Sequence, residues 1–223
     1  MTRNIMNNND NPFELNAESY DRWFDSADGK VIFASEVNCL KNIIGETNGR
    51  WLEVGVGTGR FANALNIGEG IDPSPAVLGI AEGRGIQTYM GYGEKLPFPD
   101  KTFDGILIAF SICFMKEPSR AIGEAFRVLK ETGRLIVGFI PADSVLGKIY
   151  EHKGKAGHLF YSNAVFWTKD ELATLITKKG FILENMETCF LPESENVSDE
   201  KSLNIDAMSD FIAIAFSKQI ERK

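Results

Sequence analysis

Apolar positions along the 223-residue chain fall into two alternating rhythms. Short, nearly continuous apolar runs at residues 51–54, 70–71, 86–90, 103–110 and 133–140 read as strands buried on both faces. Between them the spacing becomes helical. Val37, Leu40, Ile43 and Ile44 mark a helix over 34–44 that stops at Gly45. Residues 60–65 and 75–82 give two shorter helices, the second with Pro75 in its first turn, and Ala121, Ile122, Ala125, Val128 and Leu129 line a helix over 119–129. Thr168 and Glu171 have the spacing of a capping box, opening a helix that runs to about Lys179. Strands alternating with helices predict an α/β fold with a parallel sheet covered on both faces. Residues 181–189 and 210–216 read as two more strands, an antiparallel pair joined by the acidic stretch 192–206.

The remaining segments break the rhythm. Residues 1–12, rich in asparagine, read as a disordered tail, and 13–223 as a single domain. Within it, residues 13–48 form a helical N-terminal cap: a short aromatic helix with Tyr20, Trp23 and Phe24, a turn at Asp28-Gly29-Lys30, then the helix over 34–44. Residues 141–167, with scattered glycines, two histidines and several aromatics, read as an irregular lid or insert.

Chemistry concentrates after the first strand, in Glu53-Val54-Gly55-Val56-Gly57-Thr58-Gly59. Alternate glycines allow positive φ and close approach of backbone to a ligand, and amides of the following helix can face that ligand. By itself this is also the pattern of a tight strand-to-helix turn. Asp72, closing the second strand, stands about 20 residues further on, where a carboxylate reaches ribose hydroxyls. Ligands of such sheets lie outside the carboxyl ends of the strands. That places residues 55–59, Asp72, residues 92–94 and residues 109–114 on one rim.

Charge and cysteine content narrow the partners. A net charge of −7 repels phosphate backbones and anionic surfaces, so neither nucleic acid nor membrane is expected. Three dispersed cysteines suggest neither disulfides nor a zinc site, and two histidines six residues apart make no convincing metal ligand set. No signal segment or span of sufficient length is visible, so a cytoplasmic protein, monomer or homodimer, is expected.

Taken together, residues 53–59, Gly70-Ile71-Asp72-Pro73-Ser74, residues 91–98, Phe103-Asp104 and residues 127–135 resemble the successive motifs of class I S-adenosylmethionine-dependent methyltransferases, in particular the small-molecule type 11 or UbiE-like branch. The resemblance spans roughly residues 20 to 190. It implies a Rossmann-like, seven-stranded, mostly parallel sheet with an antiparallel C-terminal hairpin, and S-adenosylmethionine as cofactor. It implies that Glu53, Gly55, Val56, Gly57, Thr58 and Gly59 hold the methionine portion, Asp72 the ribose, and Pro73 and Ser74 one side of the adenine. Family members usually carry an acid after the glycine at position 91. Tyr92 stands there, which shifts adenine recognition toward Gly93 and Glu94. Ala109, Phe110 and Ser111 match the rim beside the methyl donor. Nicotinamide binding is the nearest alternative, but Gly59 falls one place early for G-x-G-x-x-G and Arg60 occupies the third glycine's position. A cofactor-binding regulatory protein without catalysis is the other.

Methyl transfer by direct in-line displacement needs two molecules held in attack geometry and no covalent intermediate. A base helps where the accepting atom carries a proton, as in an ammonium or phenol. His158 and Tyr20 are the catalytic candidates, with His152 and Tyr161 from the same segments. The strand-four rim lacks the Asn/Asp-Pro-Pro-aromatic motif typical of enzymes acting on DNA bases or on glutamine in proteins. A small acceptor bounded by Tyr20, Trp23, Phe114, His152, Phe160, Tyr161 and Phe166 is therefore expected.

Overall fold

The computed structural model describes residues 11–189 and 211–219, so most of the expected tail, the acidic stretch 192–206 and Asp210 lie outside the described residues. Seven strands form one sheet: β1 (Trp51–Val54), β2 (Glu69–Asp72), β3 (Gln87–Met90), β4 (Phe103–Ala109), β5 (Leu129–Phe139), β6 (Phe181–Cys189) and β7 (Phe211–Lys218). Their order is β3-β2-β1-β4-β5-β7-β6. The first five are parallel, and β7 enters antiparallel between β5 and β6. The fold is thus the mostly parallel, Rossmann-like sheet with an antiparallel C-terminal hairpin.

Side-chain alternation explains the near-continuous apolar runs. Along β4, Ile106 and Ile108 join one buried cluster while Leu107 and Ala109 join the other. Along β7, Ile212, Ile214 and Phe216 pack on the first face and Phe211, Ala213 and Ala215 on the second. Helices α6 (Pro118–Val128) and α8 (Lys169–Thr177) cover the first face with Ile122, Ala125, Leu172 and Ile176. Helices α3 (Ala27–Ile44), α4 (Arg60–Ala64) and α5 (Pro75–Gly83) cover the second with Leu40, Ile43, Phe61 and Leu78. A fully buried side chain such as Leu40 contributes roughly 1.5–3 kcal/mol. The end of α3 is fixed by Arg134, whose guanidinium donates to the carbonyls of Ile43 and Ile44 and pairs with Glu184 on β6.

Local chemistry departs from the expected boundaries in four places. Asn11 and Pro12 belong to a helix, not to the tail: α1 (Pro12–Leu15) has Pro at its first position, and the Asn11 side chain accepts the Phe13 N–H at 3.1 Å. After α2 (Ala17–Trp23), no turn forms at Asp28-Gly29-Lys30; Ser26 caps α3 by accepting the Gly29 N–H, so the helix runs through those residues. The insert over 141–167 is not irregular throughout, because Ser144 caps an eleven-residue helix, α7 (Val145–Lys155), by accepting the Gly147 N–H. Finally, α6 ends at Val128, and β5 begins at Leu129, opposite Phe103, before a register shift at Gly105. The capping box at Thr168 and Glu171 forms as expected.

Candidate functional site

The strand order reverses direction between β1 and β4, and there the carboxyl ends of the two strands part. Ser111, just past β4, bridges the opening by donating from Oγ to the Val54 carbonyl at 2.6 Å. The preceding residue, Phe110, is held at φ +61, a left-handed conformation costly for a non-glycine residue. Its amide is fixed on the Gly138 carbonyl at 2.8 Å, and its ring stacks on Phe211 at 5.1 Å.

The glycine loop is pinned to β2. The amides of Gly55 and Val56 both donate to the Ile71 carbonyl. Gly55, at φ +76, lies so close to Ser111 that a Cβ would stand 2.2 Å from that side chain. Gly57 adopts φ +51, yet nothing lies within 4 Å of where its Cβ would be. The first position is glycine for lack of room, whereas the second keeps open space beside the backbone.

Asp72 organises the far side of the loop. One carboxylate oxygen accepts the Gly57 N–H and the other the Ser74 N–H, both at 3.0 Å. Burial raises its carboxyl to about 6, against the pull of those two amides and with help from the charge of Glu14. Glu53, on β1, is 1% exposed, and its Oε2 has no hydrogen-bond partner among the described residues. Burial pushes its carboxyl well above the usual range; the Ala62 amide opposes this and the charge of Asp72 adds to it. An orphaned buried acceptor beside an open glycine backbone suits a ligand that brings donors or positive charge.

Helices α1 and α2 close over this rim. Glu14 on α1 accepts from the Ser74 hydroxyl at 2.5 Å and from the Ala76 N–H at 3.0 Å, placing a carboxylate at the start of α5. Asp21 on α2 meets Arg60, first residue of α4, and Arg84, which also donates to the Thr58 carbonyl. Burial alone would raise the Asp21 carboxyl, but hydrogen bonds from Arg60 and Arg84 hold it well below the usual range. Above them runs an aromatic chain: the Phe13 ring lies 5.1 Å from Phe114, 5.1 Å from Phe160 and 5.3 Å from Tyr20. The Tyr20 hydroxyl is buried, and its pKa is pushed far up by that burial and then by the charges of Glu36, Asp72 and Glu53. Burial likewise raises Tyr161, whose ring stacks between those of Tyr150 and His158.

The structure therefore gathers Glu53, residues 55–59, Asp72, Pro73, Ser74, Ala109, Phe110, Ser111, Tyr20, Phe114, Phe160 and Tyr161 at one end of the sheet. It distributes the others around them. Glu94 accepts the amides of Lys116 and Glu117, so its carboxylate is already engaged. Tyr92 is 49% exposed beside Gly93, Trp23 points outward, and His152 lies exposed on α7. His158 is exposed too, its Nδ1 accepting the Phe160 N–H. Phe166 lies 6.3 Å from the Tyr161 ring. Among the described residues no cluster of His, Cys, Asp or Glu is placed to hold a metal ion, and no helix is long and apolar enough to cross a membrane.

Sequence reasoning missed Glu14, Asp21 and Glu36. Glu36 left a signal: an acid three places after Phe33 and four before Leu40, inside the apolar stripe of α3.

Similarity to known proteins agrees with this geometry. Residues 52–137 match the family model of the methyltransferase domain, type 11. An uncharacterised protein of Methanocaldococcus jannaschii is 45% identical over 77% of this chain and 81% of its own length. The Geobacter sulfurreducens ubiquinone/menaquinone biosynthesis C-methyltransferase UbiE is 29% identical over 65% of this chain and 69% of its own. A Thermotoga maritima crystal structure, described as an S-adenosylmethionine-dependent methyltransferase and possible histamine N-methyltransferase, superposes with a TM-score of 0.80. It is 35% identical, covering 93% of this chain and 98% of that one. The chain belongs to the class I S-adenosylmethionine-dependent methyltransferases of the type 11 family, and S-adenosylmethionine is its cofactor.

Proposed function

We propose that the enzyme methylates a small molecule by direct in-line displacement, inside a pocket roofed by α1, α2 and the segment around Tyr161. The observation that carries this reading is the closed aromatic roof. The rings of Phe13, Tyr20, Phe114 and Phe160 meet within 5.1–5.6 Å over the rim, an apolar roof that favours a compact acceptor over a duplex or a folded protein surface.

When bound, the cofactor supplies an electrophilic methyl group on a sulfonium. In our reading Glu53 and the backbone of residues 55–59 hold its methionine part, with Glu53 Oε2 accepting from the donor's amino group. Asp72 accepts from the ribose hydroxyls. Pro73 and Ser74 flank the adenine, with Tyr92, Gly93 and Glu94 at its far edge. Ala109, Phe110 and Ser111 border the reacting centre, and the strained Phe110 directs its ring toward the core there. Tyr20, Phe114, Phe160 and Tyr161 exclude water and orient the acceptor, while Trp23, His152 and His158 form the outer rim. The main contribution is then positioning, which suffices for a reaction between a sulfonium and a lone pair.

The Thermotoga relative's possible acceptor is histamine, and the Geobacter enzyme acts in quinone biosynthesis; both point toward small acceptors for this chain. The test is a screen of small amines, phenols, quinols and carboxylates for receipt of a labelled methyl group, after thermal shift has shown that S-adenosylhomocysteine binds. Binding of the cofactor product without transfer to any small molecule sinks the small-acceptor reading.

A further inference from the structure

The fold brings together two cysteines that lie far apart in the sequence. Cys39, on α3, is fully buried in the cluster on the second face of the sheet, and Cys189, the last residue of β6, packs against that same cluster. The strand register fixes their neighbourhood. Cys189 stands opposite Phe211 on β7, and the side chains of Phe211 and Leu40 both close over Gly138, where a Cβ would meet them at 2.8 and 3.2 Å. Cys39 directly precedes Leu40, so helix and strand each carry a thiol to one junction. The two thiols share a hydrogen bond there.

Packing alone accounts for one buried cysteine, which behaves as a small apolar residue. It does not account for a second thiol set against the first at a half-buried strand end. The two differ as the members of an oxidisable pair differ. Burial, and then the hydrogen bond from its partner, pushes Cys39 far up, so it remains a thiol, whereas Cys189 is within reach of solvent. The third cysteine, Cys113, is engaged elsewhere, its Sγ donating to the Phe110 carbonyl at 3.1 Å.

We infer that Cys39 and Cys189 form a reversible disulfide when the protein meets a peroxide, either hydrogen peroxide or an organic hydroperoxide. The Cys189 sulfur attacks one peroxide oxygen: an S–O bond forms, the O–O bond breaks, and the thiol proton leaves with the departing water or alcohol. Cys39 then attacks the sulfenic sulfur; an S–S bond forms, the S–O bond breaks, and the hydroxyl departs as water with the Cys39 proton. The sulfurs lose two electrons and the peroxide gains them.

The bond has a route to the rim. Phe211, beside Cys189, stacks on Phe110 at 5.1 Å, and Phe110 is held left-handed at φ +61. Drawing the end of β6 onto α3 shifts Phe211, and Phe110 with it. This consequence rests on the reading that sets Phe110 beside the methyl donor; the disulfide itself does not.

The experiment treats the full chain with hydrogen peroxide, unfolds it in N-ethylmaleimide and counts labelled thiols by mass. The count should fall from three to one, peptides holding Cys39 and Cys189 should be joined in a non-reducing digest, and dithiothreitol should restore all three. Affinity for S-adenosylhomocysteine, by calorimetry, should fall several-fold on oxidation and return on reduction. Cys39→Ser should form no disulfide and carry sulfenic or sulfinic acid on Cys189. Three labelled thiols after peroxide, sulfinic acid on Cys189 beside a free Cys39 in the wild type, or a bond between two copies of the chain overturns the inference. If the variant does not fold, the wild-type peptide map decides alone. A Cys39–Cys189 bond that leaves the affinity unchanged overturns the route to the rim; no binding by the reduced protein counts against the assignment of the cofactor site and not against the disulfide.

Discussion

Asp21 and Arg60 form a two-pronged ion pair, Nε to Oδ1 and Nη2 to Oδ2 both at 2.8 Å, that joins the N-terminal helices to the residue directly after the glycine loop. Arg84 shares the same carboxylate, and Arg60 also holds Asp25. The pair is 14–15% exposed, so it is little screened, and loss of one partner strands charge in a drying environment.

Asp21→Ala takes from Arg84 its carboxylate partner and leaves Arg60 only the more exposed Asp25, whereas Arg84→Ala leaves Asp21 paired with Arg60. The first substitution should cost roughly 2–4 kcal/mol by chemical denaturation, and clearly more than the second. It should also weaken S-adenosylhomocysteine, because Arg60 starts the helix whose amides face the loop. A loss under about 0.5 kcal/mol would mean that the aromatic contacts alone hold the helices in place.

Asp72 titrates in a useful range. Its carboxyl is raised from 3.8 to about 6, so in the free protein it adds stability fully present below pH 3.8 and lost as pH rises through 6. In the proposed site the ribose hydroxyls donate to the ionised form, so cofactor binding should behave oppositely. At pH 5 only about a tenth of Asp72 is ionised, and affinity for S-adenosylhomocysteine should be about tenfold weaker than at pH 7.5. Asp72→Asn should remove most of that dependence and weaken binding by about 1–3 kcal/mol at pH 7.5, with Glu53 supplying what dependence remains. Calorimetry at the two pH values measures both; a flat wild-type profile would place Asp72 outside the binding site.

What the sequence made legible was whatever local order enforces. Strand periodicity, the glycine spacing and Asp72 at a strand end are properties of contiguous residues, and they located the sheet and the loops at the carboxyl ends of its strands. What it hid depends on partners far along the chain. Glu14 reaches Ser74 across 60 residues and Asp21 reaches Arg60 across 39, and neither acid differs in sequence from an ordinary surface carboxylate. Helix α7 was hidden for another reason: only Gly147 is buried, and its apolar stripe of Leu146, Ile149 and Tyr150 spans little more than one turn between glycines. Gly29 read as a turn because the Ser26 cap that overrides it is one hydrogen bond.

Glu14 predicts a kinetic effect. Its carboxylate ties α1 to Ser74 and Ala76, and α1 carries Phe13, the hub of the aromatic roof. Glu14→Gln keeps the shape but weakens two charge-assisted bonds, by roughly 1–2 kcal/mol together. Stopped-flow release of S-adenosylhomocysteine should accelerate several-fold with little change in the association rate, as expected if α1 opens for departure. An unchanged release rate would mean that the ligand leaves without displacing α1.

The two glycines of the loop separate structure from binding. Gly55→Ala meets Ser111 at 2.2 Å and carries a side chain at φ +76, so it must displace the bridge to Val54. Folding stability should fall by roughly 2–4 kcal/mol, from overpacking and left-handed strain together. Gly57→Ala meets no protein atom within 4 Å, so only the strain of φ +51 remains, about 1–2 kcal/mol. Its new methyl group, however, enters the open space beside Asp72, where the cofactor is proposed to lie. Gly57→Ala should therefore remain folded in thermal denaturation while its affinity for S-adenosylhomocysteine drops at least about tenfold, an amount that one intruding methyl readily produces. Wild-type affinity in a folded Gly57→Ala protein would show that the cofactor does not touch the loop at Gly57, and the roles assigned to Thr58 and Gly59 would have to move with it.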